Sequence, residues 1–213
     1  MNNAAPQQKY QVRFDIGLAG FQALAAGADV VILADALPSA STEPVLPAPL
    51  HNHQVIAVNL ANCEVVAEWV LARQTEKGDR FSVAVIAVGE RRPAGAGRFA
   101  VEDFLVAGAV IDALSARGID HCSPEAAAAA AGFAGLERAV RHLVTASETA
   151  QALVAAGRAA EVQAAVQGTV QGTVRATVQA AVRADGPPVQ APATDAPDLS
   201  PGISRLREFP FPA

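Results

Sequence analysis

With 213 residues, 51% of them apolar, the chain has the length of one domain plus an appended tail and the material for a sizeable core. Its formal net charge of −5 excludes a sequence-independent nucleic-acid binder, which needs a basic face. No apolar run reaches the length of a membrane span, residues 1–10 lack the apolar core of a secretory signal, and Cys63 and Cys122 match no zinc or redox spacing. The expectation is a soluble cytoplasmic protein with two reduced thiols and neither a membrane nor a nucleic-acid partner.

In chain order, Leu18 to Ala26 predicts a short helix closed by Gly27, and Asp29 to Ala34 predicts a strand. The connector from Ala36 to His53 carries Pro38, Pro44, Pro47 and Pro49, which excludes long regular structure. Within it His51 and His53 flank Asn52, but no third ligand lies nearby to complete a zinc site. Gln54 to Val58 reads as a second strand. Asn62 to Gln74 reads as an amphipathic helix with Asn62 as its natural N-cap; Val65, Val66, Trp69 and Val70 share a face and Gly78 follows the end.

Phe81 to Leu114 is the most informative stretch. Val83 to Val88 is a continuous apolar run, the pattern of a buried strand. Gly89 ends it, Glu90, Arg91 and Arg92 follow, a loop with Gly and Pro carries Arg98, and Glu102 and Asp103 open an apolar helix. Charge of both signs thus gathers where a strand ends and a helix begins, the crevice in which open α/β sheets bind ligands. Carboxylates there can hold a hard divalent cation, and arginines can hold a phosphate or another oxyanion. The same residues also have structural uses, since acids are favoured in a first helical turn by the macrodipole alone.

From Ser123 the chain turns helical. Ser123 is placed as an N-cap before Pro124 and Glu125; Leu136, Ala139, Val140, Leu143 and Val144 keep helical spacing; Thr145-Ala146-Ser147-Glu148 has the form of a capping box. His121 and His142 are expected to be solvated. Val162, Val166, Val170, Val174, Val178 and Val182 then recur every four residues, which is read as a tandem duplication forming a frayed helix. The Pro-rich end predicts a disordered linker from Asp185 to Ser200, with Ile203 to Pro212 either docked as a short strand or loose. The organisation expected is an α/β domain over 11–160, a valine-repeat helical segment over 161–184 and a tail over 185–213. Alternating strands and helices imply a layered α/β/α fold with a mainly parallel or mixed sheet.

The order of these motifs resembles the 2-phosphosulfolactate phosphatase family, magnesium-dependent phosphatases of an α/β fold. The resemblance runs through Val12-Arg13-Phe14-Asp15-Ile16-Gly17, the strand ending in Asp35-Ala36-Leu37, Asn62, Gly89-Glu90-Arg91, Arg98, Glu102-Asp103, Gly108 and Ser123-Pro124-Glu125-Ala126. It covers roughly residues 11–165, and between Ser39 and Gln54 the chain looks shortened against the family. The resemblance implies hydrolysis of the phosphate ester of 2-phosphosulfolactate or a similar small phospho-acid, with Mg²⁺ as cofactor. It implies Glu90, Glu102 and Asp103 on the metal side, Asp35 as a catalytic residue positioning metal or water, and Asn62, Arg91 and Arg98 on the substrate. The alternative is a non-catalytic family remnant that binds a phosphorylated metabolite or a protein partner. A homo-oligomer joined through its sheet is a third reading.

Overall fold

The computed structural model describes residues 6–37, 54–91 and 97–167. Its centre is a four-stranded parallel sheet of β1 (Val12–Ile16), β2 (Val30–Ala34), β3 (Gln54–Val58) and β4 (Val83–Ala87), in the order β1-β4-β2-β3. The three predicted strands are therefore neighbours, as expected, with β2 between β3 and β4. Every residue of β2 and β4 is buried, which is why both read as unbroken apolar runs. The first strand is an addition to the sequence reading, which left this run as the approach to a helix. It alternates Val12, Phe14 and Ile16 toward one core with Arg13 and Asp15 on the other face.

Helices α2 (Cys63–Lys77), α3 (Val101–Ser115) and α4 (Pro124–Leu136) lie on one face of the sheet, around a core that includes Ile56, Val85, Trp69, Leu105 and Ile111. Helix α1 (Gly17–Leu24), extended by a 3₁₀ turn at Ala25–Gly27, covers the opposite face with Phe21 and Leu24. This is an α/β fold with helices on both sides of the sheet. Helix α5 (Val140–Ala146) packs on α3, and α6 (Glu148–Ala155) follows it. A last helical run over 159–167 buries Val162 and Val166, the first two valines of the repeat, in the main core. The remaining valines, the tail, His51 and His53 lie outside the described residues. Among the described residues no helix is long and apolar enough to cross a membrane.

Several local expectations are corrected. Val65 is half exposed, so the buried face of α2 is Val66, Trp69 and Val70. Asn62 occupies the N-cap position of α2 without capping it: its Oδ1 accepts from the Asn59 N–H at 2.8 Å, closing the β3–α2 turn instead. In the supposed capping box the cap is Ser147, whose Oγ accepts from Ala150 N–H at 3.2 Å, while Thr145 belongs to α5. Ser123 does cap α4, accepting from Ala126 N–H at 3.1 Å. Both cysteines are free, and His121 and His142 are exposed.

Candidate functional site

Because all four strands are parallel, their carboxyl ends share one edge, and Ile16, Ala34 and Ala87 are in register across β1, β2 and β4. The residues that follow them build the crevice. Asp35 comes directly after β2, and its N–H donates to Val58 O of β3 at 3.0 Å. After β4 the chain passes through Gly89 at φ +70, where an added Cβ would lie 2.7 Å from Arg98 O; only glycine fits there. The two-residue strands β5 (Glu90–Arg91) and β6 (Gly97–Arg98) then pair antiparallel, which sets Glu90 opposite Arg98. Helix α3 begins immediately afterwards and brings Glu102 and Asp103.

Arg98 sits among the acids. Its Nη2 donates to Glu90 Oε2 at 2.9 Å and to Glu102 Oε1 at 3.3 Å, and its Nε lies 3.5 Å from Glu148 Oε2. Burial opposes its charge, but hydrogen bonds and attraction from Glu90 and Glu102 outweigh burial and hold the guanidinium above its ordinary value. Glu102 is 1% exposed, and its Oε2 is buried without a hydrogen-bond partner among the described residues. Asp103, 4% exposed, joins two junctions: Oδ1 accepts from Ala36 N–H at 2.9 Å and Oδ2 from Gly89 N–H at 2.8 Å.

The carboxylates disturb one another. Burial first, then repulsion from Glu102 and Glu90, pushes Asp35 up to about 7, against a hydrogen bond from Leu37 N–H. Burial and repulsion from Asp35 and Glu102 push Asp103 well above the ordinary carboxyl range, against its two N–H donors.

Of the residues singled out from the sequence, Glu90, Arg98 and Glu102 are in direct contact, and Asp103 and Asp35 adjoin them. Of Arg91 only the backbone is described, paired with Gly97. Asn62 stands on the next junction, after β3, with its Oδ1 engaged in its own turn. The sequence reading missed Thr149, which is 6% exposed and whose Oγ1 lies 2.5 Å from Glu102 Oε1 and 2.8 Å from Arg98 Nη2.

Among the described residues no three Asp, Glu, His or Cys side chains are gathered for a metal as they stand, and Glu90 and Glu102 share one arginine nitrogen. The donor set nonetheless suits a hard cation. It is all oxygen, it carries more acid than Arg98 can neutralise, and it includes a buried carboxylate oxygen with no hydrogen-bond partner among the described residues.

The sequence model of 2-phosphosulpholactate phosphatase matches residues 46–179, well over half of the chain, and that span holds Asn62, Glu90, Arg91, Arg98, Glu102, Asp103 and Thr149. No curated protein matches it significantly.

Proposed function

The chain belongs to the 2-phosphosulpholactate phosphatase family, and from that premise we propose that it is a Mg²⁺-dependent phosphatase of 2-phosphosulfolactate or a similar small phospho-acid. The observation that carries the reading is the meeting of Asp35, Glu90, Glu102 and Asp103 beside one arginine at the carboxyl edge of a parallel sheet. Glu90, Glu102 and Asp103 would hold the cation. When bound, Mg²⁺ supplies positive charge to phosphoryl oxygens and to the developing leaving group.

The chain's own residues do the rest. Arg98, together with Arg91, would clamp the phosphate and the acid group of the substrate, because a guanidinium fork matches such oxyanions. Asn62, whose amide N–H donates to Ala57 O at 3.4 Å, would turn that N–H to the substrate. Among the described residues Asp35 accepts a hydrogen bond from Leu37 N–H at 3.3 Å, and it is able to take a proton near neutral pH. It would orient water and accept its proton as the water oxygen bonds to phosphorus. The ester P–O bond breaks, and the proton taken by Asp35 is returned, through water, to the departing oxygen, giving the hydroxy acid and inorganic phosphate.

Phosphate release from 2-phosphosulfolactate and a panel of small phospho-acids, with and without Mg²⁺, tests this. Glu90→Gln keeps the shape and loses the charge, so it should abolish Mg²⁺-dependent release while the protein stays folded. Wild-type protein that releases no phosphate from any ester defeats the proposal.

A second reading has one observation in its favour. The family match begins at residue 46, leaving β1, β2 and Asp35 outside it. A non-catalytic member would bind the phospho-acid, or a protein partner, without turnover. Saturable binding of 2-phosphosulfolactate with no phosphate released identifies it.

A further inference from the structure

Thr149 stands at the second position of α6, just inside the Ser147 cap, and reaches the site from a helix that belongs to neither the sheet nor its junctions. A hydroxyl has one proton to give and two lone pairs. Arg98 Nη2, at 2.8 Å, can only donate, so it takes a lone pair of Oγ1. Glu102 Oε1, at 2.5 Å, is the nearer acceptor for the proton, and Glu90 Oε2, at 3.3 Å, is the alternative. Donation runs from guanidinium to hydroxyl to carboxylate.

Helical threonines elsewhere behave differently. Thr75 donates to Leu71 O at 2.9 Å, and Thr145 lies 3.0 Å from both Arg141 O and His142 O, all local backbone carbonyls. Among the described threonines Thr149 alone directs its hydroxyl at charged side chains. By holding Oε1 of Glu102 it leaves Oε2, buried and without a hydrogen-bond partner among the described residues, as that carboxylate's open acceptor. By accepting from Arg98 it fixes the guanidinium beside the two acids.

We infer that Thr149 is a positioning residue, whose hydroxyl orients Glu102 and Arg98 and thereby the cation and oxyanion positions of the reaction. The inference rests on the phosphatase reading for its chemical consequence. Losing a supporting hydrogen bond of this kind typically weakens metal affinity or activity by about 10–100-fold.

The test uses the full chain with Thr149→Val, which keeps the volume and loses the hydroxyl, and Thr149→Ser, which keeps the oxygen. Phosphate release is titrated with Mg²⁺, and the guanidinium N–H signals of Arg98 are followed by NMR. The valine variant should need at least about tenfold more Mg²⁺ for half-maximal rate, and serine should restore this to within about threefold. The Arg98 signals should be resolved in wild type and in the serine variant and averaged by rotation in the valine variant. Valine behaving as wild type overturns the inference, and so do equal losses with valine and serine, which would assign the effect to packing of the methyl group. If the wild type releases no phosphate, the phosphatase reading fails on that result and the Arg98 signals still decide positioning. Thr149→Ala with the same readouts replaces a valine variant that does not fold.

Discussion

Asp103 shows how a single carboxylate can serve both the fold and the site. Its two oxygens accept the N–H groups of Ala36 and Gly89, one on each of two neighbouring junctions. An amide has only one acceptor oxygen, so Asp103→Asn sets an NH₂ against one of those donors. A buried polar group left unsatisfied costs about 1–3 kcal/mol, and the variant should melt several degrees lower. An unchanged melting temperature would show that these bonds do not hold the junctions together. Asp35 gives a pH dependence. Its carboxyl is raised to about 7 from 3.8, so the folded protein binds that proton more tightly than the unfolded chain does. The resulting stability is complete below about 3.8 and is lost as pH rises through about 7. Asp29 is shifted the other way and withdraws stability only as pH falls below its ordinary value of 3.8. Without divalent cation, the urea midpoint should therefore fall from mildly acidic to neutral pH, and Asp35→Asn should flatten the fall. An unaltered slope in that variant would refute the assignment. Glu90, Arg98, Glu102 and Asp103 were legible in the sequence because they cluster around one strand-to-helix junction. Thr149 was not, because it meets Glu102 across 47 residues and nothing local marks a threonine just inside a helix as a partner of distant acids.

Between elements, α3 and α4 approach one another closely at Gly108. A Cβ at Gly108 would lie 2.3 Å from Ala129 O and 2.7 Å from Phe133 Cβ, so alanine there must push the two helices apart. At Gly132 the obstacle is the Phe104 ring, 2.8 Å away, and a ring can turn. At Gly135 nothing lies within 4 Å. The three alanine variants should separate in urea unfolding. Gly108→Ala should lose about 1–3 kcal/mol or more through overpacking. Gly135→Ala should gain up to about 1 kcal/mol from helix propensity, with Gly132→Ala between them. Equal effects at Gly108 and Gly135 would show that the helices do not cross this tightly. The contact lies far beyond local sequence patterns, whereas the strands β2, β3 and β4 were plain as apolar runs. The first strand was harder to see because Arg13, a charged residue in the sequence, is 1% exposed in the fold. Burial and the charge of Asp29 act on it in opposite directions, and its Nη2 donates to Gly27 O.

At the scale of the whole molecule, the crevice exists only when the chain is folded. Asp35 follows β2, Glu90 follows β4, and Glu102 and Asp103 open α3, so the unfolded chain cannot bring these acids together. A cation bound there therefore binds the folded state alone and stabilises the entire domain. It also offsets the burial and the repulsion that together raise Asp35 and Asp103, which adds to its effect near neutral pH. Once Mg²⁺ exceeds its dissociation constant, each further tenfold should add about 1.4 kcal/mol to unfolding stability. The melting temperature should climb with the logarithm of Mg²⁺ concentration. Screening by salt also weakens repulsion among carboxylates, so the comparison needs KCl at matched ionic strength. A site effect exceeds the KCl effect and disappears in Glu102→Gln, which removes the buried carboxylate while keeping its shape. A rise of equal size with KCl would reduce the Mg²⁺ effect to screening, and a rise that survives Glu102→Gln would place the ion elsewhere on the molecule.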